Sequence, residues 1–133
     1  MREYAHEQTA ILLRRLAMQI NRAARSGDPD AVHDLRVAIR RLSRCLRVFA
    51  QFYPGQGWKK MRRRLKDLLD ACGAVRDRDI ALDLLAKADF PPTSIVVRRL
   101  NLDRNEALQE LMLQLRRWKG RGTSRKWRAQ LGI

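Results

Sequence analysis

Long apolar runs are missing from this sequence. No stretch approaches the ~20 consecutive apolar residues that a helix needs to cross a bilayer, and the N-terminal segment MREYAHEQTA lacks the apolar core of a secretory signal. The expected compartment is therefore the cytoplasm. Cysteine is scarce as well: Cys45 and Cys72 sit at apolar helical positions without CxxC spacing or a nearby histidine. That setting argues for buried free thiols rather than a disulfide or a metal site. No Gly-rich phosphate loop, Ser/His/Asp set or pair of carboxylates flanking a cleft can be assembled, so neither catalysis nor a cofactor is expected. Acid is the most telling shortage. Against 29 Lys+Arg the chain sets only 14 Asp+Glu, a formal charge of +15. Such an imbalance in a short chain points to a polyanionic partner: nucleic acid, an acidic membrane surface or a phosphate polymer.

What is present is helical. At 133 residues the chain fits one domain with a real core. Glycine and proline punctuate it at SGDPD (26–30), YPGQG (53–57), Gly73, FPP (90–92) and GRGTS (120–124), and the intervals show three-four rather than alternating periodicity. A first helix over about 3–25 carries the seam Ala10, Leu13, Ala17, Ile20 and Ala24. The second opens with Asp28 as cap, Pro29 at the first helical position and Asp30 complementing the dipole. Its seam is Leu35, Ile39, Leu42, Leu46, Phe49 and Tyr53. A third, from Trp58 to Cys72, turns Trp58, Met61, Leu65, Leu68 and Cys72 inward and is expected to stop at Gly73. A short helix over Asp77–Ala88 follows. The last long helix starts at Thr93 or Ser94 and carries Val97, Leu100, Leu108, Leu111, Leu115 and Trp118, with NLDRNEA as a kink or polar turn. Short connections favour antiparallel neighbours. The expected architecture is an all-α, antiparallel four-helix bundle with an additional short helix over residues 1–120, followed by a loose basic tail, 121–133.

The second helix raises the functional question. Opposite its Leu42 seam, His33, Arg36, Arg40, Arg44 and Arg47 form one ridge, with Arg41 on the flank. The ridge is about 21 Å long at 1.5 Å per residue. Its like-charged neighbours each cost about 0.2–0.5 kcal/mol, and no glutamate is interleaved after Asp34. The KKMRRRLK stretch repeats the theme, with Lys59, Arg62, Arg63 and Lys66 on one side and Lys60 and Arg64 on the other. Two basic faces suit a groove for a linear polyanion, because guanidinium groups grip phosphate oxygens bidentately and low-dielectric walls focus the field. A solvated charged face is the bland competitor, and the uncompensated charge weighs against it. His33 has no nucleophile beside it and suits phosphate binding better than acid–base chemistry. In VRDRD (75–79), Asp77 is read as a cap and Asp79 as a partner that orients an arginine.

These residues carry a resemblance. AVHDLRVAIRRLSRCLRVF, followed after a spacer by LKDLLDACGAVRDRDIAL, resembles the CHAD family, the conserved-histidine α-helical domain, over roughly residues 28–90. The resemblance implies an all-helical domain that binds inorganic polyphosphate through a basic channel, sometimes on polyphosphate granules. It places the family's core on His33, Arg36, Val37, Arg40 and Arg41, with Arg44 continuing the basic face. Lys66 and Arg76 would be further phosphate ligands, and Asp77 and Asp79 structural supports. Members of the family usually hold two helical bundles related by a pseudo-twofold, and this chain supplies one. A homodimer that rebuilds the whole cavity is therefore expected. Two other classes compete, a nucleic-acid-binding helical protein and a purely structural or protein-interaction bundle. Base stacking would want aromatics among the charges, and Trp127 in the basic tail is the one tryptophan so placed.

Overall fold

The computed structural model describes all of residues 1–133 and contains no strand. Its elements are α1 (Arg2–Arg25), α2 (Pro29–Val48), a single 3-10 turn (Ala50–Phe52), α3 (Gly57–Lys87), α4 (Ile95–Gly120) and α5 (Thr123–Leu131). The four long helices pack in sequence order, α1 on α2, α2 on α3 and α3 on α4, and α5 closes against α1 and α4. The all-α bundle expected from the periodicity is what forms.

Local chemistry sets the boundaries. The Asp28 carboxylate accepts from Ala31 N at 2.8 Å and from Ser26 Oγ at 2.6 Å, and Pro29 follows at the first helical position. These hydrogen bonds, the Ser26 hydroxyl first, hold the Asp28 carboxyl below its ordinary range. Gly27, at φ +68°, makes the turn before it. A Cβ there would meet Met112 Cε at 2.7 Å and Leu108 Cδ1 at 3.0 Å, so the α1–α2 loop is pressed directly onto α4. At the start of α4, Ser94 rather than Thr93 caps, accepting from Val97 N at 3.2 Å.

The buried side of α2 is the expected one: Leu35, Ile39, Leu42, Leu46 and Tyr53 are buried, with Phe49 at the edge. Helix α1 rolls slightly. Leu13 and Ile20 are buried as expected, but Leu16, Ala5, Thr9 and Ala23 join them, while Ala10, Ala17 and Ala24 are only half-buried. A leucine gains far more from leaving water than an alanine, so the helix turns Leu16 inward. Thr9 is satisfied there: its hydroxyl donates to Ala5 O at 2.8 Å and pairs with the Tyr53 hydroxyl. Tyr53 in turn stacks on His6, with ring centroids 5.5 Å apart, which ties the turn after α2 to α1.

Several expectations are corrected. The third helix does not stop at Gly73, and no separate short helix starts at Asp77; α3 runs unbroken for 31 residues, about 46 Å. Glycine in a helix interior costs only ~1 kcal/mol, and Ala71, Cys72 and Val75 on either side of it are buried. Breaking the helix would expose them. Asp77 is consequently an exposed mid-helix residue and caps nothing. The NLDRNEA patch is neither kink nor turn but part of continuous α4. Residues 123–131 are not a loose tail. Gly122 at φ +60° redirects the chain into α5, whose Trp127 and Leu131 are buried. Trp127 meets Trp118 edge-on at 4.7 Å, and Trp118 Nε1 donates to Ser124 Oγ at 2.9 Å. Trp127 is therefore unavailable for base stacking.

One region contributes no fully buried core residue. Between Val75 and Leu111 no residue is fully buried, so the end of α3 and the start of α4 form a helical hairpin extending past the α1–α2 loop. Ile80, Leu84, Phe90, Ile95, Val96 and Leu102 are exposed on it.

Candidate polyanion-binding site

A groove of about 650 Å³ lies between α2 and α3, and its basic lining comes from α3 alone. Its floor is apolar, from Ile39, Trp58, Leu65 and Leu69, and its α3 wall is Lys59, Arg62, Arg63 and Lys66. Periodicity explains the arrangement. Residues 62, 66 and 69 recur at four and three along α3, and the adjoining Met61, Leu65 and Leu68 are buried and fix which side of the helix faces outward. Ser43 on α2 faces this wall, accepting from Arg62 Nε at 3.4 Å. Lys59 Nζ lies 5.7 Å from the Trp58 ring centroid.

No acidic residue lines the groove. The chain's ion pairs are elsewhere: Arg22–Asp34, Lys87–Asp83, Arg99–Asp103 and Arg104–Asp79. The four cations of the wall are thus unpaired, and Lys59 sits in the first turn of α3. That end of a helix is the positive end of its dipole, where cations are disfavoured. Neither an acidic residue in the first turn nor a side-chain cap offsets Lys59.

On α2 the ridge divides. Helical spacing puts Arg36, Arg40 and Arg47 in line with Ser43, on the side facing α3. Arg40, Arg47 and His33 are exposed, whereas Arg36 is half-buried and its Nε is buried without a hydrogen-bond partner. Arg36 also lies close enough to Cys72 for its charge to favour the thiolate. Burial outweighs that attraction and pushes the Cys72 thiol up to about 12. Both cysteines are free and buried. Arg41 and Arg44 lie toward α1. Arg41 lines a depression with Leu12, Arg15 and Asp34, and both line another with Tyr4, Gln8 and Phe49. Arg76, half-buried, continues the line of Arg62 and Leu69 along α3 at seven-residue intervals.

Asp79 does orient an arginine. It accepts from Arg104 Nε, and Arg104 reaches on to Gly27 O at 3.0 Å. One guanidinium thereby pins α3, α4 and the α1–α2 loop together, with little of either side chain exposed. Sequence reasoning missed the groove's Ser43 and gave Trp58 only a core role. The signal for Ser43 was present: it shares the spacing of Arg36, Arg40 and Arg47.

The chain matches the CHAD domain over residues 8–131, nearly its whole length. It belongs to the CHAD family. Comparison with curated proteins and with solved structures gives no match. In this CHAD domain the match includes α1, α4 and α5 as well as the two basic helices. The basic groove lies within the matched residues, with its wall on the longest helix. No helix is long and apolar enough to cross a membrane.

Proposed function

We propose that this CHAD domain binds inorganic polyphosphate, without catalysis, along the α2–α3 groove. The observation that carries the reading is the groove itself: four cations on its α3 wall, no acid and no ion pair among them. A linear polyanion with a charge on every unit offsets the mutual repulsion of Lys59, Arg62, Arg63 and Lys66 and the clash of Lys59 with the helix dipole. His33, Arg36, Arg40 and Arg47 extend the positive face along α2. Arg76 continues the path along α3, while Arg41 and Arg44 broaden the positive field on the α1 side. The groove has two walls and an open top. A homodimer about a twofold axis would carry a second copy of the groove. The setting is proposed as cytoplasmic, including the surface of polyphosphate granules.

The test is competition among long-chain polyphosphate, duplex DNA and heparin across a salt series, since electrostatic affinity has meaning only with its salt dependence. Polyphosphate is expected to win at equal phosphate concentration. The Arg62→Ala/Lys66→Ala variant should lose roughly tenfold in affinity and lower the salt slope by about 1 per contact removed. Preference for DNA would overturn the reading. One observation favours that rival: Trp58, half-buried among the cations, offers an aromatic edge to a base. Quenching of tryptophan fluorescence by single-stranded DNA but not by polyphosphate would support it, since Trp118 and Trp127 are buried.

A further inference from the structure

A second basic groove lies on the other side of α3. It is about 760 Å³ in volume and runs between α3 and α4. Lys60, Arg63 and Arg64 line it from α3, and Arg117 and Arg121 from the end of α4. None of the five belongs to an ion pair. The acids of this groove, Asp67, Asp70 and Glu110, come further along the antiparallel helices, so one end is purely cationic. Helix electrostatics explains only half of that end. Arg117 and Arg121 sit where α4 terminates, the negative end of its dipole, and cations are favoured there. Lys60 sits in the first turn of α3, where the dipole opposes it, and Arg63 and Arg64 lie a turn further on, beyond the dipole's reach. The helix ends therefore account for Arg117 and Arg121 but not for the three cations of α3.

Arg63 lines both grooves. It stands on the ridge of α3, with Lys59, Arg62 and Lys66 on its α2 side and Lys60 and Arg64 on its α4 side. We infer that the two grooves are one continuous path, along which a long polyphosphate chain crosses over α3 at Arg63 and continues between Lys60, Arg64, Arg117 and Arg121. This inference rests on the polyphosphate reading and adds its chain-length selectivity. A short oligophosphate fills the α2–α3 groove alone. A long chain occupies both and releases more counterions, so its affinity is higher and its salt dependence steeper.

Calorimetric titration of tripolyphosphate and of long-chain polyphosphate tests this with an Arg117→Gln/Arg121→Gln variant. Glutamine keeps helix propensity and leaves the core of α4 untouched. An Arg98→Gln/Arg99→Gln variant, equal in net charge and outside both grooves, controls for the overall field. The expected result is a roughly tenfold loss for the long chain in the first variant, with tripolyphosphate unchanged and with both ligands nearly unchanged in the control. A long-chain loss no larger than the control's overturns the crossing path. So does an unmodified protein that binds tripolyphosphate as tightly per site as the long chain, an outcome that leaves the α2–α3 reading intact. A protein that binds neither ligand overturns both.

Discussion

Asp79 and Arg40 illustrate at the scale of single residues how similar-looking charges serve different ends. Asp79 is held by Arg104, itself tied to Gly27 O, with side-chain exposures of 10% and 17%. Removing one partner of a mostly buried pair leaves the other's charge stranded, which costs about 3 kcal/mol. Asp79→Ala should therefore lower unfolding free energy by that amount in urea titrations, and a loss under about 1 kcal/mol would show the pin to be dispensable. Arg40 is exposed, pairs with nothing and has like-charged neighbours. Arg40→Ala should leave stability unchanged or slightly raised while weakening polyphosphate binding. The role of Asp79 was legible as that of orienting an arginine; which arginine was not, because Arg104 lies 25 residues away on another helix. Trp127 shows the same limit. Its basic neighbours marked it as exposed, and only the Trp118 ring facing it explains its burial.

Individual helices were readable where a stop or start has its own chemistry. Asp28-Pro29 and Ser94 fix two N-termini through hydrogen bonds within three residues, a range over which neighbouring residue types suffice. Gly73 carries no such local signal. It ends a helix when nothing beyond it gains from burial, and here Val75 does. The space around a Cβ at Gly73 is empty, and its backbone is helical with φ outside the positive range. Gly73→Ala should therefore stabilise the protein by about 0.5–1 kcal/mol, read as a higher midpoint in thermal melts. A destabilised variant would mean that α3 needs a bend there. Because α3 is continuous, one helix carries the wall of the α2–α3 groove, Arg63 on the ridge, and Asp79 at the pin.

The molecule as a whole is electrically lopsided. Residues 77–103 hold five Asp and four Lys/Arg, so the excess positive charge lies entirely on the rest of the chain. The same hairpin bears the exposed Ile80, Leu84, Phe90, Ile95, Val96 and Leu102 and supplies no core residue. Two strongly cationic copies can approach most readily where the charge vanishes, and apolar side chains there give the contact its driving force. The dimer proposed above is thus expected to use this end. Light scattering should report twice the 15.5 kDa chain mass, reverting to one chain in Leu84→Asp/Ile95→Asp. A monomer that still binds long polyphosphate tightly would remove the dimer from the account. By itself the sequence determined the helical class, the inward seam of α2, the capped starts and the excess of positive charge, because each follows from composition, from periodicity or from contacts a few residues apart. The tertiary structure decided that α3 is one helix, that the C-terminal residues close the bundle, that Arg41 and Arg44 turn toward α1, and that Arg63 stands between two grooves. Those outcomes depend on which helices become neighbours, and the burial won by packing them together outweighs the local preferences that a single segment displays.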